Sequence, residues 1–127
     1  MDESGIRLTR SLAINIYENK PVARMIGALI CISGDYIGGI FRINSDKKIY
    51  FGRNYKEVDF YFRDETISGN HCWIEYQGEN ERYVLYDTSL NGVFVNGRER
   101  IPKNVETILK KGDEIRLAST GNIFKMG

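Results

Sequence analysis

The sequence has little of several residues on which common functions depend, and these shortages exclude whole classes of function. Its 127 residues include one histidine, two cysteines and two prolines, and 18 basic residues nearly balance 17 acidic ones. A zinc site with four cysteine or histidine ligands is excluded, because the chain has no CxxC pair and no second histidine. The formal net charge of +1 argues against general nucleic-acid binding, which needs a sustained basic stripe. We therefore expect no metal, no cofactor and no direct nucleic-acid partner.

Long apolar runs are also missing. No stretch approaches the roughly 18 apolar residues of a membrane span, and residues 1–20 lack the uninterrupted apolar segment of a secretory signal. We expect an intracellular protein, in the nucleus or the cytoplasm, with no membrane partner. In such a reducing compartment, Cys31 and Cys72 are expected to be two buried free thiols rather than a disulfide.

Short apolar segments of alternating pattern, separated by Gly, Asn, Asp and Ser, dominate the rest of the chain. The predicted strands are residues 28–33, 39–44, 47–52, 58–62, 71–77, 82–87, 93–96, 114–118 and 122–126. A weak helical periodicity over residues 104–112 is interpreted as a strand or turn. This pattern is typical of an all-β sandwich or barrel. The more polar residues 1–24 are predicted to be a loosely attached arm of a single domain over residues 25–127.

The stretch "FGRNYKEVDFYFRDETISGNH" places the only histidine three residues after a serine, which raises the question of catalysis. A serine nucleophile needs a histidine base and an orienting carboxylate, and Ser68, His71 and Asp87 supply the three residue types. However, no strand–nucleophile–helix elbow surrounds Ser68, and the chain shows no α/β alternation. The residues therefore disfavour an enzyme, which remains an alternative to a binding module.

A second interpretation of the same stretch is anion binding. Arg53 follows a predicted strand, and its planar guanidinium can hold a phosphate with two parallel hydrogen bonds. Ser68 offers a hydroxyl from another loop, and Asn91 with Gly92 offers an amide and backbone N–H groups from a third. Donors that converge from three loops at one end of a sandwich suit a phosphorylated side chain.

Four blocks extend this pattern along the chain. They are "FGRN", "SGNH", "DTSLNGVFVNG" and "LKKGDEIRLA", and in this order and spacing they resemble the forkhead-associated domain. The resemblance covers roughly residues 28–126. It implies a non-catalytic β-sandwich of about eleven strands, which binds phosphothreonine in partner proteins through loops at one end.

Carried over position by position, the resemblance implies a role for each matching residue. Arg53 looks like the phosphate-binding arginine, and Ser68 like the hydroxyl donor to the phosphate. Asn91 resembles the asparagine that hydrogen-bonds the backbone of the bound peptide. Leu90 stands where several members have a small or hydroxyl residue, so only its backbone N–H can serve the peptide.

Other matching positions are implied to be structural. Gly52, His71 and Gly92 correspond to scaffold positions, and in the family the histidine braces the binding loops by hydrogen bonding. Gly69 and Asn70 fill the variable pair inside Ser-x-x-His. These two either line the peptide site or are simple loop residues.

The variable loops leave partner specificity open. In the family, specificity usually depends on the third residue after the phosphothreonine, and the corresponding loops here are "DETI" and "NGRERIPKN". The second loop carries Arg98, Arg100 and Lys103, which either attract acidic partners or form a solvated charged turn.

The resemblance also implies a parent protein and leaves one rival function. Such domains often precede the kinase domain of checkpoint or meiotic DNA-damage Ser/Thr kinases, which implies phospho-dependent self-association of the parent protein. The rival is a sandwich that binds a partner through a sheet face, independently of phosphate.

Overall fold

The computed structural model describes residues 26–127, together with the backbone of four short strands nearer the N-terminus. These are β1 (Asp2–Glu3), β2 (Arg7–Leu8), β3 (Ile14–Asn15) and β4 (Lys20–Pro21), with β1 paired to β2 and β3 to β4. The rest of the predicted arm, residues 1–24, lies outside the described residues.

Residues 26–127 form ten strands in two five-stranded sheets. The strands are β5 (Ile26–Ser33), β6 (Ile40–Asn44), β7 (Lys48–Gly52), β8 (Phe60–Tyr61), β9 (Cys72–Gln77), β10 (Arg82–Asp87), β11 (Val93–Val95), β12 (Glu106–Leu109), β13 (Glu114–Leu117) and β14 (Ile123–Met126). The first sheet has the order β12-β10-β9-β7-β8 and the second β11-β13-β14-β5-β6. The prediction of an all-β fold is confirmed.

The predicted strands all occur, and each begins and ends within two residues of its predicted limits. The largest shortfall is in β8, predicted over residues 58–62 but formed only by Phe60–Tyr61. The Asp59 carboxylate accepts the Tyr50 N–H at 2.8 Å, so a side chain replaces the backbone partner that a longer strand would supply. Residues 26–127 contain ten strands, where about eleven were expected, and an isolated bridge joins Phe94 to Arg100.

Alternation along the strands turns one face of each sheet inward, where the two faces share one apolar core. Phe51 of β7 contacts Phe124 of β14 with ring centroids 5.2 Å apart, and it stacks on Phe60 at 4.9 Å. All three rings are buried. This aromatic cluster joins the two sheets directly beneath the loops that follow β7 and β8.

Strand register brings the ends of four strands together. Phe51 pairs with Cys72, Cys72 pairs with Asp87, and Gly52 runs parallel beside Tyr61. The β7–β8 loop (residues 53–59), the β8–β9 loop (62–71) and the β10–β11 loop (88–92) therefore emerge at one end of the sandwich. We call this end the loop end.

The last two motif blocks form a clamp between β11 and β13. The Asn96 amide donates to the Asp113 carboxylate at 3.0 Å, and its carbonyl oxygen accepts the Glu114 N–H at 2.8 Å. Burial by itself raises the pKa of Asp113, but hydrogen bonds from Lys110 and Asn96 outweigh it and hold the pKa below its usual value. These residues hold β11 against β13 and do not belong to the loop end.

The cysteines lie in the interior. Cys31 and Cys72 are free and buried, as predicted, and burial raises the pKa of both thiols. Both thiols therefore stay protonated and poorly reactive near neutral pH. No helix able to cross a membrane occurs in the part of the chain that the structure describes.

Candidate functional site

The loop end begins with a close backbone approach at Gly52. A methyl group at this position would lie 2.0 Å from the Gly69 carbonyl oxygen, which no side chain can accommodate. Next to it, the Arg53 N–H donates to the Ser68 carbonyl at 2.9 Å, and the Asn54 N–H donates to the Gly69 carbonyl at 3.0 Å. Glycine is therefore required at position 52 for the β7–β8 loop to lie against the β8–β9 loop, and the two bonds beside it come from backbone groups.

The Arg53 side chain is exposed and held at one nitrogen. Its Nε–H donates to the Ile67 carbonyl at 2.9 Å, which orients the guanidinium plane over the β8–β9 loop. Its two terminal nitrogens make no hydrogen bond or ion pair with any residue of the described ranges. Four N–H donors of a fixed, charged fork are thus available to an anion.

The β8–β9 loop is anchored at both ends before it reaches Ser68. Phe62 and Ile67 are fully buried, and between them the Asp64 carboxylate accepts the Thr66 N–H at 2.8 Å. Such an Asx turn closes the loop locally. Ser68 is consequently presented from a fixed backbone.

The Ser68 hydroxyl faces the β10–β11 loop. Its oxygen accepts the Leu90 N–H at 3.0 Å, and no described residue accepts its proton. The hydroxyl can therefore donate outward while the Leu90 N–H holds it in place. The Leu90 N–H, which the sequence assigned to the peptide, is in this structure committed to Ser68.

The β10–β11 loop is built on buried hydrogen bonds of Asp87 and Ser89. The Asp87 carboxylate accepts the N–H and the hydroxyl of Ser89 at 2.8 and 2.6 Å, and the Ser89 hydroxyl accepts the Gly92 N–H at 2.7 Å. Gly92 has φ of +95°, a conformation that favours glycine. The Asp-x-Ser-x-Asn-Gly block thus forms a rigid turn, from which Leu90 and Asn91 project.

Arg100 supports the same loop, although the sequence placed it with Arg98 and Lys103 on a charged turn. Its guanidinium donates to the Ser89 and Leu90 carbonyls at 2.8 and 3.1 Å and lies 3.4 Å from the Asp87 carboxylate. Three of the five N–H donors of Arg100 are therefore committed to this loop and not to acidic partners. No local signal in the sequence distinguishes Arg100 from Arg98 and Lys103.

Asn91 keeps part of its hydrogen-bonding capacity. Its Nδ2 donates to the Thr66 carbonyl at 2.8 Å, which connects the β10–β11 and β8–β9 loops. Its Oδ1 and second amide proton have no partner among the described residues. This free donor and acceptor match the two groups of a peptide backbone unit.

His71 is fully buried at the centre of the three loops. Its Nδ1 accepts the Ser68 N–H at 3.0 Å, so Nε2 carries the proton and donates to the Gly92 carbonyl at 2.8 Å. Burial lowers the pKa of the ring, while the Gly92 carbonyl and the Asp87 carboxylate act in the opposite direction. A neutral ring fits both bonds, because a protonated Nδ1 could not accept from Ser68.

We expect the stability of the domain to depend on pH through His71. The pKa of His71 in the folded state lies below the unfolded value of about 6.5, so its contribution to stability is complete above pH 6.5. This contribution is lost as the pH falls below 6.5, at up to about 1.4 kcal/mol per pH unit. Urea unfolding between about pH 5 and pH 8 measures this slope, and NMR follows the single histidine directly. If His71→Gln unfolds with the same pH slope as the unaltered domain, this explanation is wrong.

Gly69 and Asn70 lie at the edge of the site. A side chain at Gly69 would come no nearer than 3.7 Å to Asn54, so this glycine is not required by space. The side-chain amide of Asn70 donates to the Glu57 carboxylate at 3.2 Å, and the backbone carbonyl of Asn70 accepts the Thr88 hydroxyl at 2.7 Å. Asn70 therefore links the β8–β9 loop to the β7–β8 and β10–β11 loops.

A Ser–His–Asp triad is not formed. His71 contacts the backbone N–H of Ser68, not its hydroxyl, and the Ser68 hydroxyl contacts Leu90. The Asp87 carboxylate is bonded to Ser89 and Arg100. Both nitrogens of the only histidine are occupied by backbone groups, so no base is available to Ser68.

Comparison with known proteins agrees with this geometry. Residues 49–118 match the family model of the FHA domain. The serine/threonine-protein kinase cds1 of Schizosaccharomyces pombe is 32% identical over 131 residues, which covers 91% of this chain and 26% of the kinase. The chain thus spans about a quarter of the length of that relative.

Solved structures give the same result. The MEK1 FHA domain is 26% identical with a TM-score of 0.69, covering 88% of this chain and 95% of that one. The N-terminal FHA domain of Rad53p from S. cerevisiae, in complex with a phosphothreonine peptide, is 25% identical with a TM-score of 0.63, covering 80% and 90% of the two chains. From motif, fold and family model together, the chain belongs to the FHA domain family of non-catalytic interaction modules.

Proposed function

We propose that this domain binds phosphothreonine in partner proteins, with Arg53 and Ser68 holding the phosphate and Asn91 holding the peptide backbone. The observation that carries the proposal is the set of unused donors at the loop end. Among the described residues, nothing accepts from the two terminal nitrogens of Arg53, which bonds Ile67 through Nε. Likewise, none of them accepts the hydroxyl proton of Ser68, whose oxygen accepts the Leu90 N–H. The loops that carry them are linked by hydrogen bonds, so the donors are ordered before a ligand arrives.

The charge of a phosphate explains why such a site would bind a phosphorylated peptide much more tightly than the unphosphorylated one. A phosphorylated threonine carries close to two negative charges and three strong acceptor oxygens near neutral pH. Hydrogen bonds that involve a charged group contribute about 1.5–3 kcal/mol each. Loss of two of them lowers affinity by at least about 100-fold, which is enough to make binding depend on phosphorylation.

The remaining residues have supporting roles in this proposal. Leu90 holds the Ser68 hydroxyl through its N–H, and Gly69 and Asn70 line the edge of the peptide site. Gly52, His71 and Gly92 hold the loops together. The binding unit is the domain of residues 25–127, with residues 1–24 as an arm.

The relatives indicate the setting of the domain. A matching FHA domain of S. cerevisiae is in complex with a phosphothreonine peptide, and cds1 is a serine/threonine kinase. We infer that this chain is the regulatory part of a checkpoint kinase of the DNA-damage or meiotic response. The parent protein would act in the nucleus or cytoplasm and associate with itself through phosphorylated threonines.

A peptide titration tests the proposed function. We expect fluorescent phosphothreonine peptides of varied flanking sequence to include binders that the domain holds at least about 100-fold more tightly than their unphosphorylated forms. Fluorescence anisotropy measures both affinities. Equal affinity for the two forms, or no binding of any phosphorylated peptide, would refute the proposal. Equal affinity would favour the rival function of binding through a sheet face, independently of phosphate.

A further inference from the structure

A cavity of about 270 Å³ opens beside the loop end, on the outer face of the first sheet. It is lined by Tyr50, Glu57, Asn70, Cys72, Trp73 and Thr88. Strand pairing explains its position, because Tyr50 lies opposite Trp73 on β9 and both side chains point away from the core. The cavity fits one long side chain and is smaller than the pockets that hold whole small molecules.

The cavity adjoins the two loops that carry Ser68 and Asn91, because Asn70 and Thr88 belong to those loops and line it. Asn70 follows Ser68 by two residues in the β8–β9 loop. The Thr88 hydroxyl donates to the Asn70 carbonyl at 2.7 Å, which joins the cavity wall to the β10–β11 loop. A peptide held at Ser68 and Asn91 can therefore place a nearby side chain in the cavity.

Of the described residues that line the cavity, one carries a carboxylate and none is basic. Glu57 accepts one hydrogen bond from Asn70 at 3.2 Å and forms no ion pair within the described ranges. Its second oxygen makes no hydrogen bond there either. This carboxylate favours a positively charged occupant.

Trp73 adds an aromatic surface that attracts cations. The Lys48 ammonium already lies 4.5 Å from the centroid of its ring, and Tyr86 stacks beside it with centroids 5.2 Å apart. Lys48 is exposed, so a partner cation that also reaches Glu57 can replace it. A guanidinium suits this combination better than an ammonium, because its plane stacks on aromatic rings and donates two parallel bonds to a carboxylate.

The geometry points to a second subsite for a basic side chain of the phosphothreonine peptide, arginine before lysine, formed by Glu57, Trp73 and Tyr50. The inference rests on the proposed function, because the phosphate site brings the peptide to the cavity. Such a subsite makes the domain selective for phosphothreonine peptides that have a basic residue near the phosphothreonine.

A positional scan tests the subsite. Phosphothreonine peptides that carry arginine, lysine, alanine or glutamate at each position around the phosphothreonine are titrated against the domain. We expect arginine at one position to bind roughly fivefold to tenfold more tightly than alanine. Glu57→Gln, which keeps an oxygen for Asn70, should reduce that preference to under about twofold without changing the affinity for the alanine peptide. The matched control is Glu106→Gln, an exposed carboxylate of β12 outside the cavity lining, which should keep the preference.

The outcomes separate this inference from the proposed function. If alanine peptides bind through their phosphate but arginine gives no gain at any position, the subsite is wrong and the phosphate site stands. An arginine preference that survives Glu57→Gln also overturns the subsite. If no phosphorylated peptide binds, the proposed function fails and the subsite falls with it.

Discussion

Arg53→Ala is expected to weaken phosphothreonine-peptide binding by at least about 100-fold while the domain stays folded. The exposed guanidinium supplies the only charged donors that we assign to the phosphate. Its four N–H groups that have no partner among the described residues are oriented by the Nε bond to the Ile67 carbonyl. Loss of two charge-assisted hydrogen bonds costs about 3–6 kcal/mol. Calorimetric titration with one phosphorylated peptide measures the change, and circular dichroism verifies the fold.

Two further variants test whether the loss of affinity is specific to the guanidinium of Arg53. Arg53→Lys keeps the charge but removes the planar fork, so its affinity should fall between those of the unaltered domain and Arg53→Ala. Arg63→Ala removes another exposed arginine of the β8–β9 loop and should change affinity by less than about threefold. Equal affinity of Arg53→Ala and the unaltered domain would remove Arg53 from the phosphate site.

His71→Ala is expected to lower the free energy of unfolding by about 2–4 kcal/mol and to weaken peptide binding as well. The ring is fully buried and bonds two backbone groups, the Ser68 N–H and the Gly92 carbonyl. Its loss leaves the Ser68 N–H unpaired in the interior and opens a cavity. The Gly92 carbonyl is less affected, because it also accepts the Ala118 N–H at 2.9 Å. Urea unfolding measures the stability, and titration at low temperature measures the binding of the folded fraction.

The neighbouring Asn70 provides the control for this variant. Asn70→Ala removes an exposed side chain one residue away and should change stability by no more than about 0.5 kcal/mol. A His71→Ala domain as stable as Asn70→Ala would show that the ring does not brace the loops. An unchanged affinity in a destabilised variant would show that the bracing is not needed for binding.

Sequence patterns predicted most of the fold because the features they report are local. Alternation of apolar and polar residues indicates which stretches form strands, and the limits of β9 and β10 follow from it within one residue. The strand β8 was predicted too long, since alternation does not reveal that the Asp59 side chain takes a backbone hydrogen bond of Tyr50. The requirement for glycine at position 52 was visible only as a motif, and its cause is that a Cβ there would lie 2.0 Å from the Gly69 carbonyl oxygen.

The class of fold, the family resemblance and the three loops that carry Arg53, Ser68 and Asn91 all follow from the sequence alone. The tertiary structure was needed to show that Arg100 bonds to the β10–β11 loop and that Glu57 meets Trp73 at one cavity. These are contacts between residues distant along the chain, and their side chains have several orientations of similar local energy. Packing of the loops selects one orientation, and no local pattern records that choice.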